Sequence, residues 1–155
     1  MAKTRVLQVA ALAVGVAALG VAVGQQALVA PGPNKVAFPE NWSKGVMYAT
    51  VDRPDTKQYR EFYTSAEAVA AAKAGRPIPD GTVITLAAYA AQADAAGTPL
   101  KDASGRFMKG NLLAVNVMQK KAGWGADIPE AVRNGDWVYQ SFTPDGKAND
   151  KANLT

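Results

Sequence analysis

The chain has no cysteine and no histidine. Without cysteine there is no disulfide, no thiolate nucleophile and no thiolate metal ligand. Without histidine there is no imidazole base and no imidazole ligand. Together these absences exclude serine–histidine and cysteine–histidine catalysis, as well as soft or imidazole metal sites. What remains is carboxylate, lysine, tyrosine, serine and threonine chemistry, or the chemistry of a bound cofactor. Aromatic residues are scarce, at 8%. Hydrophobic residues make up 48% and charged residues 19%, a balance that fits a folded globular chain and not a disordered one. The net charge of +4 is small, and of the lysines only Lys120 and Lys121 are adjacent. Neither nucleic acid nor an anionic membrane is implied as a partner.

The hydrophobic residues that are present begin at the N-terminus. Lys3 and Arg5 precede an apolar run from Val6 to Val23, interrupted only by Gln8 and glycines. Ala22-Val23-Gly24 then places small residues at the spacing a signal peptidase reads. Residues 1–24 therefore read as a secretory signal peptide, cut after Gly24, and the mature chain is expected in the periplasm. The alternative is an uncleaved membrane anchor, because the run reaches the lower length limit for a span. Its richness in alanine and glycine favours cleavage. Residues 25–37, centred on Pro31-Gly32-Pro33, read as a linker, followed by one domain over residues 38–155.

Within that domain the pattern predicts an α+β fold, mostly antiparallel sheet with one clear helix over about 64–75 and long loops. Strands are expected at Gly45–Val51, Gln58–Tyr63, Thr82–Tyr89, Leu112–Gln119 and Trp137–Phe142, separated by turn signals such as Asp80-Gly81 and Asp145-Gly146. Thr64 and Glu67 fit an S/T-x-x-E capping box, alanines follow, and Gly75 with Pro77 ends the helix. One helix supplies too few crossovers for a parallel sheet. The stretch from Gly123 to Gly135 reads as a loop or a broken helix around Ile128-Pro129-Glu130.

Several segments carry a resemblance. They are Gln58-Tyr59-Arg60-Glu61-Phe62-Tyr63, then Gly75 to Ile84 (GRPIPDGTVI), Gly105 to Gly110 (GRFMKG), Gly123-Trp124-Gly125, Gly135 to Phe142 (GDWVYQSF) and Asp145-Gly146-Lys147. In this order and spacing the region from about Phe38 to Thr155 resembles the cytochrome P-460 family. The resemblance implies an exported, mostly β, often dimeric protein that carries haem c and binds a small-molecule or gas ligand or exchanges electrons with a redox partner protein. Family members attach the haem through a Cys-x-x-Cys-His motif, and this chain holds neither residue type. The expectation that follows is that Thr155 is an artificial end and that haem c belongs to the full-length protein; a naturally haem-free relative is the alternative.

The resemblance also implies a distal pocket made of Arg60, Leu86 and Asn116. In hydroxylamine-oxidising members a lysine cross-linked to the haem falls at Leu86, and a pocket carboxylate falls at Asn116. Leucine has no nucleophilic atom, and an amide can donate a hydrogen bond but cannot take up a proton as a carboxylate does. Both departures point to the non-cross-linked cytochromes c-prime-beta. Arg60 reads as a contact to an anionic ligand or a haem propionate, or as a salt bridge with Glu61 or Asp52. Leu86 reads as core, as pocket wall, or as both. Asn116, between Val115 and Val117, needs a partner, either backbone or water or else a bound ligand. Trp124 and Trp137 read as core, and Lys44 and Lys57 as exposed turn residues.

Overall fold

A computed structural model describes residues 35–152. The expected signal peptide and most of the linker lie outside the described residues. Five antiparallel strands form a single meander in chain order: β1 (Val46–Arg53), β2 (Gln58–Thr64), β3 (Val83–Ala91), β4 (Lys109–Lys120) and β5 (Trp137–Phe142). One helix, α1 (Ala66–Lys73), connects β2 to β3. This is the expected α+β class with mostly sheet. Each strand pairs with the next in the chain, so every connection is local.

The helix cap lies one residue later than the sequence reading placed it. Ser65 is the N-cap and accepts a hydrogen bond from the Ala68 amide at 3.2 Å. Thr64 belongs instead to β2, where its hydroxyl donates to the Val83 carbonyl at 2.9 Å and ties β2 to β3. The stop is where glycine was expected. Gly75 has φ +63°, its amide donates to the Ala72 carbonyl, and the Arg76 amide reaches the Ala71 carbonyl. That pair of bonds is a Schellman motif, which a residue with a Cβ closes only at a cost. Ala68 and Ala71 are the helix residues that are buried.

Alternation along the strands gives the sheet two faces. One face is covered and holds the core. Val115 and Val117 of β4 and Val138 and Phe142 of β5 are buried there together with Val36. Phe38 and Trp42 from the N-terminal segment pack on this cluster, as do Trp124 and Ile128 from the β4–β5 connection. Val36 is fully buried, so the folded region begins ahead of the expected boundary at residue 38. The β4–β5 connection is two short 3-10 turns, Trp124–Asp127 and Glu130–Val132, in agreement with a broken helix. Gly125 is buried against the Gly135 carbonyl, where a Cβ would overlap the backbone, so only glycine allows the first turn to seat on the sheet. The second face of the sheet carries the site.

Candidate functional site

Leu86 in the middle of β3 pairs in register with Asn116 of β4. The same row runs outward to Phe62 of β2 and Ser141 of β5. Residues directly opposite one another on an antiparallel sheet share a face. Two positions along, Ile84 pairs with Met118, and Met118 with Tyr139. Phe62, Ile84, Leu86, Asn116, Met118 and Tyr139 bound a cavity of about 170 Å³, which Tyr48 of β1 also lines. Tyr48 is 46% exposed, and its ring centroid lies 6.1 Å from that of Phe62. The lining contains no charged residue. Burial raises the Tyr48 phenol above its ordinary value, which keeps it neutral in this setting.

Of the three expected site residues, the structure brings Leu86 and Asn116 together at the cavity. Both are half-buried. Among the described residues the Asn116 amide makes no hydrogen bond to the protein, yet it is not a sealed, unsatisfied group; it opens to the cavity. Arg60 is on the same face, opposite Ala88, one step along β2 from Phe62. It does not line the cavity. The expected salt bridge to Glu61 or Asp52 is absent, because each carboxylate is held elsewhere. Asp52 accepts from Arg106 at 2.9 and 3.2 Å and from the Phe107 amide, while Glu61 accepts from Lys109 at 2.9 Å. Arg60 Nε and Nη2 instead donate to Gln58 Oε1 at 2.9 and 2.8 Å. Burial, and secondarily the charge of Arg53, lowers the Arg60 guanidinium below its ordinary value. It still carries full charge at any physiological pH.

Sequence reasoning missed Tyr48, Phe62, Ile84, Met118 and Tyr139 as pocket residues. Strand alternation was the available signal for Phe62, Ile84, Met118 and Tyr139, which lie on the Leu86 face; Tyr48 falls at the β1 bulge between Met47 and Ala49, where alternation breaks. The sequence could not tell which of the two faces would be covered. Lys57, expected as an exposed turn residue, is in the β1–β2 turn with its ammonium on the Gly97 carbonyl at 2.8 Å. Lys44 is exposed in the 3-10 turn at Trp42–Lys44. Neither lines the cavity.

A second cleft, about 690 Å³, opens where Trp42 and Tyr63 meet the Pro79–Val83 segment. It is larger, but none of the expected site residues reaches it. The smaller cavity holds two of the three expected site residues, Leu86 and Asn116.

The family model for cytochrome P-460 matches residues 39–155. The chain belongs to the cytochrome P-460 family. No curated protein matches the chain. Membership makes it a member of a haem-protein family, and haem c is the group that the family implies. The residues of this cytochrome P-460 member fit one side of such a group and not the other. An apolar wall with a single amide suits the ligand-facing side of a haem, and Arg60 nearby suits an anionic edge. The thioether cysteines and the imidazole are not among its 155 residues. The cavity is also smaller than the roughly 300–1,000 Å³ of whole-cofactor sites.

Proposed function

We propose that this is an exported, periplasmic haem c protein whose apolar sheet face binds a small neutral ligand such as nitric oxide, or supports electron transfer to a redox partner. The observation that carries the reading is the Leu86–Asn116 pair at an uncharged cavity. The haem, when bound, supplies the ligand-binding and redox chemistry. Leu86, Phe62 and Met118 exclude water from the ligand. The Asn116 amide donates one hydrogen bond to it without moving a proton. Arg60 offers a charge to an anionic group at the margin.

Hydroxylamine oxidation is disfavoured on the same observation. It calls for a proton acceptor at the ligand and a lysine at the cross-link position, and the lining holds neither a carboxylate nor a lysine. A haem-free envelope binding module is the second reading. In its favour, Val36, Val115, Val117, Val138 and Phe142 bury one another in a core on the other face of the sheet.

A haemochrome spectrum of the product of the whole gene separates these readings. A c-type spectrum, a shift of the haem absorption on adding nitric oxide and no turnover of hydroxylamine are expected. Hydroxylamine turnover with a lysine-bound haem peptide overturns the proposal. A colourless, fully folded product supports the haem-free module instead.

A further inference from the structure

Behind the cavity, on the covered face, lies a second cluster that the ligand site does not use. Glu61 and Tyr63 flank Phe62 in β2, so they point away from the cavity that Phe62 lines. Glu61 is 5% exposed. The Tyr63 hydroxyl donates to Glu61 Oε2 at 2.8 Å, and Lys109 of β4 donates to Oε1 at 2.9 Å. Burial and the Glu61 charge raise the Tyr89 phenol of β3, and the Lys109 ammonium stands 4.7 Å from the Tyr89 ring centroid. Two further aromatic rings extend the cluster: Trp42 is 5.2 Å from Tyr63, and Tyr59 is 6.4 Å from Tyr89.

We propose that Glu61, Tyr63 and Tyr89 form a proton-coupled redox site. When a high-potential one-electron metal oxidant removes an electron from Tyr63, the Tyr63 O–H bond breaks and its proton forms a new O–H bond on Glu61 Oε2. The metal is reduced by one electron. The products are a neutral phenoxyl radical and a neutral glutamic acid. In radical exchange an electron passes from Tyr89 to Tyr63, the Glu61 proton returns to the Tyr63 oxygen, and the Tyr89 proton moves to Glu61.

Three features carry this. An ionised carboxylate is an acceptor only, so the hydrogen bond is already oriented for the transfer. The heavy-atom separation is within the range for direct proton transfer. The acceptor is already bonded to the Tyr63 hydroxyl and is itself buried, so it takes the proton ahead of water in the cleft that Tyr63 lines. Lys109 stabilises the carboxylate and opposes its protonation, which keeps the site reduced until a strong oxidant is present. The site stands on these contacts and not on the haem reading, so either proposal can fail alone.

The test is flash oxidation of the full chain by photogenerated tris(bipyridine)ruthenium(III), followed by the phenoxyl absorption and its electron paramagnetic resonance signal. Radical formation is expected to be flat from about pH 6 to about pH 9, because the base is internal and Glu61 is ionised throughout. Y63F/Y89F is expected to lose most of the signal, and Y48F/Y139F to keep it. E61Q is expected to slow formation roughly tenfold or more. E61Q leaves Lys109 unpaired, so E61Q/K109M supplies the same test in a fold without that penalty. A rate that climbs with pH in the wild-type chain, a signal that survives Y63F/Y89F, or an undiminished rate in both Glu61 variants overturns the proposal.

Discussion

Leu86 faces Asn116 across the β3–β4 register, and both border one cavity. The pairing decides what the cavity can do. A slip of one residue would turn Asn116 into the Val115 and Val117 core and place a valine at the ligand site. It would bury an amide among apolar side chains at a cost of about 1–3 kcal/mol. The buried valines thus hold the register that keeps the amide at the cavity. With leucine as its partner, the amide meets no group that could form a covalent link or take up a proton.

Leu86→Phe should fill that cavity. The site is apolar and comparable in size to engineered cavities of about 150 Å³ that take up xenon or benzene. Dissolved xenon should shift the amide resonances of Ile84 and Met118 in the wild-type chain and leave them unmoved in L86F. Equal shifts in both chains would show that the cavity holds no guest.

Ser65→Ala should cost about 1 kcal/mol, the usual loss for an N-cap. Read as a thermal midpoint, that is a fall of about 3–5 °C for a domain of this size. Thr64→Val should act differently. It removes the hydroxyl bond to Val83 between β2 and β3 and leaves the helix start intact. Circular dichroism at a helix-sensitive wavelength separates the two, because only S65A reduces the helical signal.

The cap shows where legibility stopped. Thr64 and Ser65 are both capping residues, and the sequence offered Glu67 as a capping-box partner for Thr64. The choice was made by β2, which pairs Thr64 with Val46 and keeps its backbone extended. Strand pairing is non-local and left no local signature. The same reason explains Arg60. Its near neighbours Glu61 and Asp52 were the sensible partners, but Lys109 and Arg106, 48 and 54 residues away from them, claim those carboxylates. The five strands and the Gly75 stop were legible because period-2 alternation and glycine are local. The grouping of Leu86 with Asn116 came from the family resemblance, and strand pairing sets the two opposite each other. The covering of the other face by Val36 and Phe38 was not legible, because it depends on where a proline-flanked segment lies in three dimensions.

Gln140→Met should stabilise the fold. Gln140 is 1% exposed, and its Oε1 is the one buried side-chain polar atom without a partner among the described residues. Its Nε2 donates to the Ser141 carbonyl at 3.0 Å, but that carbonyl also accepts from the Asn149 amide at 2.8 Å and keeps a partner when the glutamine is gone. Methionine has nearly the same volume and no acceptor to strand. The gain is expected at about 1 kcal/mol, read from the urea midpoint at unchanged slope. A lower midpoint would mean that a buried water satisfies Oε1 in the native protein.

Stability should fall in strong alkali through Tyr63. Its phenol is pushed up to about 12, by burial first and then by the Glu61 carboxylate to which it donates. Tyr89 is raised by the same two causes. In the unfolded chain a tyrosine ionises near about pH 10. Below that pH both states hold the proton and the contribution is fully present. Between about pH 10 and about pH 12 the folded state keeps a proton that the unfolded state has released, so the unfolded state binds fewer protons and unfolding becomes easier as pH rises. Tyr63→Phe has no phenol to ionise. Urea midpoints should therefore decline more gently with pH in Y63F than in the wild-type chain across this window, and the absorbance titration of Y63F should lack one late-ionising phenol. Parallel declines in the two chains would place Tyr63 in contact with water and not on the Glu61 carboxylate.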